Sequence, residues 1–323
     1  MAVIHIPKIS NKEFIKRIKN RNLENYSSIK TIEDYFLKKR GFVFKMPPPG
    51  SPVILLVSGG IESTITWGLL FEKYKLNVYP VFLHRGLYRK KREKQAVLFF
   101  SKYFQKKYPN LFHEPQEYST HLPPPEIDKS HKDFYKYYHP LRILEQYKPK
   151  KNLSHILNNH GILPFTFPFY GVLYANYLWD HNNLKVKTIF NGVAPGDGDF
   201  VSSQTFSALR ATLFATCVAT DNYDWQIGSL AFEKETGHWL EKHDLVRLGG
   251  IMKLPLEHTW SCYKSGIYQC GDQCLTCEYR RIAFVKANIK DKTHYESTDQ
   301  VIMTLRKLKN ILHQILDKII TFV

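Results

Sequence analysis

Residues 52–68, PVILLVSGGIESTITWG, run from a strand pattern through two glycines into a helix pattern. The apolar, β-branched stretch up to Val57 reads as a central strand buried on both faces, and a helix is expected from about Glu62 to Lys75. A strand that delivers Ser58-Gly59-Gly60 to a helix N-terminus gathers unpaired N–H groups and the positive end of the helix dipole at one point. Such a point suits an anion. Glycines let the backbone approach the anion, and Ser58, Ser63 and Thr64 add hydroxyl donors. The three letters alone equally suit a plain tight turn. No lysine follows in the position required by the G-x-x-x-x-G-K-[ST] phosphate loop.

Reading outward, NVYPVFLH (77–84) is a second strand and residues 87–108 form a basic helix. Strand, helix, strand, helix is the grammar of a doubly wound, mostly parallel Rossmann-like α/β sheet. Further helices are expected near 168–180 and 202–219, strands at 186–193 and around Trp225 to Phe232, and a helix at 233–243. Residues 1–46 read as a helical appendage with Phe14, Ile15 and Ile18 on one face, closed by the linker MPPPG, which no helix can continue. The main domain is expected over 47–250, with an insertion at about 114–164 that is partly helical at 142–147 and 153–158. A cysteine-rich region at 251–297 and an amphipathic helix at 298–323 follow.

The 323 residues are 43% hydrophobic and 14% aromatic, enough for a sizeable core. The apolar runs fall far short of a bilayer span, and the first residues lack the continuous apolar segment of a signal peptide, so a soluble cytoplasmic protein without a membrane partner is expected. Lysine and arginine outnumber aspartate and glutamate by 46 to 29, a formal charge of +17. That surplus suits a nucleic-acid partner. It suits equally a solvated lysine-rich surface, since runs such as KKREK and YKPKK are scattered along the chain.

Four of the five cysteines lie in SCYKSGIYQCGDQCLTC (261–277). Cys262, Cys270, Cys274 and Cys277 have the spacing C-x7-C-x3-C-x2-C, which fits four thiolates around one structural Zn²⁺, with Gly271 easing the turn. Four protein ligands leave no open position for catalysis. An iron–sulfur or redox role, and unmetallated thiols, are the alternatives. Cys217, inside LRATLFATCVAT, reads as a core residue.

The turn SGGIEST resembles the SGG-x-D-S pyrophosphate loop of the N-type ATP pyrophosphatases, with Glu62 in the aspartate position. The segment HTWSCYKSGIYQCGDQCLTCEYRRIAFVKANIKDKTHY (258–295) resembles the carboxyl-terminal region of the 7-cyano-7-deazaguanine synthases, and NGVAPGD (191–197) stands where they carry Gly-Val-Asn-Ala-Glu-Asp. The resemblance covers roughly residues 52–112 and 160–297. It implies an ATP-dependent C–N ligase with an adenine nucleotide alpha hydrolase-like fold, which adenylates 7-carboxy-7-deazaguanine, forms an amide with ammonia and activates the amide again to give the nitrile. It implies ATP, Mg²⁺ and structural Zn²⁺ as cofactors. Ser58, Gly59, Gly60, Ile61, Glu62, Ser63, Thr64, Gly192 and Asp197 are expected to bind nucleotide, with Ser58, Glu62, Ser63 and Lys234 serving catalysis.

The departures from that pattern concern the acceptor side. LPFTF (163–167) replaces Val-Pro-Gly-Arg-Asn and keeps Pro164; VSSQTF replaces Pro-Asp-Cys-Arg; HRGLYR (84–89) replaces Asp-Tyr-Gly-Gln-Arg-His and keeps Gly86. The knuckle carries one extra residue, Cys-Gly-Asp-Gln-Cys. Relatives of this synthase in anti-phage operons pass the activated deazaguanine to a protein amine, so a partner protein is one expected acceptor and ammonia the other. A tRNA-modifying enzyme of the same loop superfamily and a non-catalytic nucleotide-binding scaffold are the competing readings, and a homodimer is left open.

Overall fold

In a computed structural model of the chain, residues 4–84, 90–119, 163–199, 201–262, 266–271 and 274–296 are described. Most of the expected insertion, both of its short helices, residues 85–89 of HRGLYR and the terminal amphipathic helix fall outside them.

Strand β1 (Pro52–Val57) is the centre of a five-stranded sheet with β2 (Asn77–His84), β3 (Gln116–Ser119), β4 (Thr188–Phe190) and β5 (Gln226–Gly228). The order is β3-β2-β1-β4-β5 and every pairing is parallel. The alternation along β1 explains the two-sided core. Val53, Leu55 and Val57 join one apolar cluster, while Ile54 and Leu56 join another on the opposite face. Parallel strands need crossover helices, and covering both faces is what turns a strand sequence into an unbroken apolar run.

Helices α3 (Ile61–Glu72) and α4 (Lys90–Lys107) pack on the first face; α5 (Leu163–Asn182) and α6 (Phe206–Ala219) pack on the second. Ten of the twelve residues of α3 are buried, so the helix has no polar face. Its outer side is covered by α7 (Lys242–Ile251), where Ile65 lies close enough to Gly249 that a Cβ there would come within 3.2 Å of it. The last helix described is α8 (Leu275–Ala287), packed along α7 with Ala283, Phe284 and Ala287 in the first core.

The amino-terminal segment is fastened into this body. Helix α1 (Asn11–Lys19), capped by Ser10, buries Phe14 and Ile18; α2 (Tyr26–Arg40) buries Ile29 in one core and Phe36 in the other. Under α2, Arg210 is fully buried, with Nε donating to Glu33 at 3.0 Å and its terminal nitrogens to Glu233 at 3.1 and 2.5 Å. Two buried carboxylates around one guanidinium offset its desolvation and lock α2, α6 and the edge of the domain into one register.

Three expectations on element positions are corrected. Helix 233–243 is replaced by a hairpin, β6 (Phe232–Glu233) and β7 (His238–Trp239), turning at Gly237 with φ of 71°. The helix starts later, where Glu241 and Asp244 form a capping box. Residues 116–119, assigned to the insertion, are the edge strand β3. Residues 163–167 form the first turn and a half of α5, in which Pro164 occupies an early position where its missing N–H costs nothing.

His238, in strand β7 of the hairpin, is buried with its Nε2 3.4 Å from the Tyr74 hydroxyl, and burial together with Lys8 and Lys73 lowers its pKa to about 4. A histidine depressed in the folded state binds its proton earlier in the unfolded chain. Its contribution is complete above pH 6.5 and is lost as pH falls toward 4, a swing of about 3 kcal/mol. Thermal unfolding across that window should therefore fall less steeply with acid in His238→Phe than in the wild type. Parallel slopes in the two proteins would contradict the assignment.

Candidate functional site

Strand order 3-2-1-4-5 means that the chain winds outward in opposite directions from β1 and β4, leaving a crevice beyond their carboxyl ends. Ligands of open α/β sheets bind in such crevices. Ser58-Gly59-Gly60 leaves β1 there and Asn191-Gly192 leaves β4 beside it.

Gly59 has φ of 72°, and a Cβ on it would lie 2.8 Å from both the Ala96 Cβ and the Glu93 carbonyl of α4. The turn is thus pressed on α4 where only glycine fits. Gly60 begins α3 as its N-cap without a side-chain cap, so the first amides of the helix have no local acceptor from it. Gly192 approaches from the other side: a Cβ there would sit 2.8 Å from Ser63 Cα and Cβ. Ser63, itself buried, lies 3.2 Å by its hydroxyl from both the Ser58 amide and the Ser58 hydroxyl. The Ser58 hydroxyl also accepts from Gly60 N–H at 3.3 Å. The Ser58 and Gly60 amides thus donate to hydroxyls of the turn itself, acceptors that an anion would have to replace. Ile61 and Thr64 are turned inward and buried, so Ile61 offers only its backbone.

The charges near the turn are arranged in a chain. Lys242 Nζ stands 2.6 Å from Glu62 Oε1. Asp197 accepts from the Ala194 amide at 2.9 Å; burial pushes its carboxyl up to about 6, the Glu62 carboxylate pushes the same way, and Lys242 opposes them. Arg21 of the amino-terminal segment closes the group, donating to the Pro195 carbonyl at 2.8 Å, to Asp199 at 2.5 Å and to Glu241 at 2.8 Å. Its role and that of Lys242 had no signal in the sequence, where each is one of 46 cationic residues. Lys234 lies elsewhere: it pairs with Glu33 and stands 3.5 Å from Glu235, within the buried network under α2.

Because burial and the Glu62 carboxylate raise the pKa of Asp197, its charged form is disfavoured in the fold. Ionised above pH 6, it costs stability that it does not cost at pH 4. Asp197→Asn, which keeps an acceptor for Ala194 N–H, should raise the unfolding midpoint at pH 7.5 by about 2–5 °C. The gain should vanish at pH 4; a destabilised variant at pH 7.5 would contradict this reading.

The four cysteines are buried and their sulfurs all lie within 4.8 Å of one another, with Cys262 to Cys274 at 3.9 Å and Cys270 to Cys277 at 3.8 Å. Such a cluster could hold a metal ion. It is built on the turn: Trp260 N–H donates to the Gly59 carbonyl at 2.8 Å, while Trp260 Nε1 donates to the Cys262 carbonyl at 2.8 Å. Arg280, fully buried, clamps both ends of the segment by donating to Thr259 Oγ1 at 2.6 Å, Ser261 Oγ at 3.2 Å and Thr293 Oγ1 at 2.7 Å. The Thr-Trp-Ser-Cys and Arg-Arg stretches are hence one hydrogen-bonded unit, in which the second arginine, Arg281, is exposed.

Comparison with known proteins falls on this unit. Residues 237–288 match the family model described as Queuosine biosynthesis protein QueC. The 7-cyano-7-deazaguanine synthase of Methanothrix thermoacetophila is 51% identical over 57 residues, 18% of this chain and 25% of that protein. The synthase of Nitratiruptor sp. is 49% identical over 59 residues, 18% of this chain and 26% of that protein. The match thus spans about a quarter of the length of these curated relatives. The U34-tRNA thiolase NcsA from Methanococcus maripaludis with its 4Fe-4S cluster superposes over 87% of this chain and 78% of that chain, at 13% identity and a TM-score of 0.32, too loosely to inform the site. Residues 237–288 thus match the QueC model within a chain that carries a doubly wound α/β sheet, and through that segment the chain resembles the 7-cyano-7-deazaguanine synthases.

Proposed function

We propose that the protein is an ATP-dependent ligase of the 7-cyano-7-deazaguanine synthase type, which adenylates the carboxylate of a 7-deazaguanine acid and passes the acyl group to a nitrogen nucleophile. The observation that carries the reading is the main-chain bond from Trp260 to Gly59, which joins the QueC-type segment to a glycine turn at the sheet's switch point.

In this mechanism a substrate carboxylate oxygen attacks the α-phosphorus of ATP, the bond to the β-phosphate breaks and pyrophosphate leaves. The amine nitrogen then attacks the acyl carbon, AMP departs and the nitrogen loses a proton. Ser58, Gly60 and Ser63, with the amides at the start of α3, would neutralise charge growing on the pyrophosphate, a preorganised donor set of the kind that supplies most of such rate gains. Gly192, for want of a Cβ, lets the exit of β4 pack directly on Ser63 and so holds that hydroxyl in place. Glu62, facing Lys242, is the residue that would hold Mg²⁺, which supplies charge neutralisation when bound. Asp197 beside it would gain a counter-charge.

The thiol cluster fits structural Zn²⁺. With Zn–S bonds of about 2.3 Å, a tetrahedron sets its thiolates about 3.8 Å apart, against the 3.8 and 3.9 Å found. A four-iron cluster, whose thiolates bind different irons, requires wider spacing. The acceptor nitrogen is ammonia or a protein amine, and the altered acceptor segments favour the latter.

The test is incubation with Mg-ATP and 7-carboxy-7-deazaguanine, with and without ammonia, reading AMP, free nitrile and intact protein masses together. AMP with an adduct on a protein supports conjugation, and AMP with free nitrile supports the ammonia-using synthase. Absence of acid-dependent AMP would overturn the proposal.

A further inference from the structure

Near the α4 residues that Gly59 abuts, the described residues line an open cavity of about 690 Å³. Ala96, which Gly59 abuts, and Trp260, whose N–H holds the Gly59 carbonyl, both line it. None of Ser58, Gly60, Glu62, Gly192 or Asp197 lines it, so it is separate from the anion cradle. The volume is that of an ordinary small-ligand pocket.

Its lining has two components. One is flat rings: Phe99 and His258 stack on each other at 3.8 Å and 18°, leaving one outer ring face, and Trp260 is a further ring in the lining. The other is cationic: Arg92 from α4 and Lys292, against a single carboxylate from Glu257. Arg92 is held in place, with Nε donating to the Gly266 carbonyl at 3.1 Å, one terminal nitrogen to Gln95 at 2.9 Å, and the guanidinium 5.9 Å from the Trp260 ring. Its other terminal nitrogen has no partner among the described residues. Gln269 forms the floor, its amide spent on the Thr259 carbonyl and the Ser261 amide, so the floor is rigid.

We propose that this cavity binds a nucleotide unit, a flat base with its attached phosphate. Ring walls accept any base by stacking, whereas a flexible acidic peptide gains nothing from their parallel planes. Arginine and lysine beside the rings supply the phosphate contacts, and the +17 charge of the chain draws such a ligand to the surface. The unit comes either as a free nucleoside monophosphate or as one unstacked residue of a single-stranded RNA. The inference does not rest on the proposed ligase activity, and its test needs no turnover.

Binding of guanosine 5′-monophosphate and of a fluorescein-labelled single-stranded RNA hexanucleotide is measured on the full metal-loaded chain. The wild type is compared with Arg92→Ala/Lys292→Ala, with Lys292→Glu/His294→Glu, whose side chains are exposed and leave folding intact, and with the turn variant Ser63→Ala. Each cavity variant should weaken binding by about tenfold or more, while Ser63→Ala leaves it within about twofold. A tighter, salt-sensitive hexanucleotide identifies the RNA source; binding of the monophosphate alone identifies the free nucleotide. The proposal is overturned if neither probe binds, if the cavity variants bind as the wild type does, or if only Ser63→Ala loses binding, which would put the ligand at the turn.

Discussion

Cys277→Ser is expected to abolish both metal content and ATP consumption. Wild-type protein should carry one zinc per chain by elemental analysis, and the variant should carry none. The cysteine segment contributes few apolar side chains beyond the thiols themselves and the partly buried Trp260, so on the proposed zinc reading its folding depends on the metal. Structural zinc sites of this kind contribute about 10 kcal/mol or more. Losing it frees Trp260 from the Gly59 carbonyl and Arg280 from Thr259 and Ser261, so the effect should reach the turn. The readout is zinc stoichiometry together with the unfolding midpoint. A metal-free variant with wild-type midpoint and wild-type AMP release would contradict the coupling.

The second large effect is at Gly59. Alanine there must adopt φ of 72° and place its Cβ 2.8 Å from a backbone carbonyl that cannot swing away. Left-handed strain and overpacking together cost about 3–5 kcal/mol. The neighbouring glycine separates structure from function. Gly60 has φ of −76°, and its nearest neighbour on gaining a Cβ is the Ser58 hydroxyl at 3.3 Å, a side chain that can rotate. Gly60→Ala should fold with nearly wild-type stability while releasing AMP at least about tenfold more slowly, because its methyl stands in the phosphate cradle. Denaturant titrations beside steady-state AMP assays check the pair. Equal stability losses in the two variants would show that the turn is packed differently.

The sheet was legible because β1 announces itself by an unbroken apolar run, and the glycine turn because its position after that strand is informative in a way that SGG alone is not. The cysteine spacing likewise pointed to one cluster, since buried thiols have few other uses in such an array. Missed features depend on tertiary contacts without a local period. Lys242 reaches Glu62 only because α7 lies across α3, and Arg21 reaches Asp199 only because α1 and α2 are anchored by Phe14, Ile18 and Phe36. The helix expected at 233–243 draws its signal from Glu233, Lys234 and Glu235, which carry helix propensity. Pairing Phe232 with Trp239 in the first core overrides it. Lys234 looked like a phosphate ligand, but in the fold it neutralises Glu33.

In the proposed reaction the turn between β1 and α3 holds the pyrophosphate of ATP while an acid is adenylated. Exchange of labelled pyrophosphate into ATP reports that half-reaction without needing the acceptor nitrogen. The account predicts exchange that requires 7-carboxy-7-deazaguanine and Mg²⁺ and is lost in Gly60→Ala. No acid-dependent exchange from folded, metal-loaded wild-type protein, or full exchange from Gly60→Ala, would contradict it.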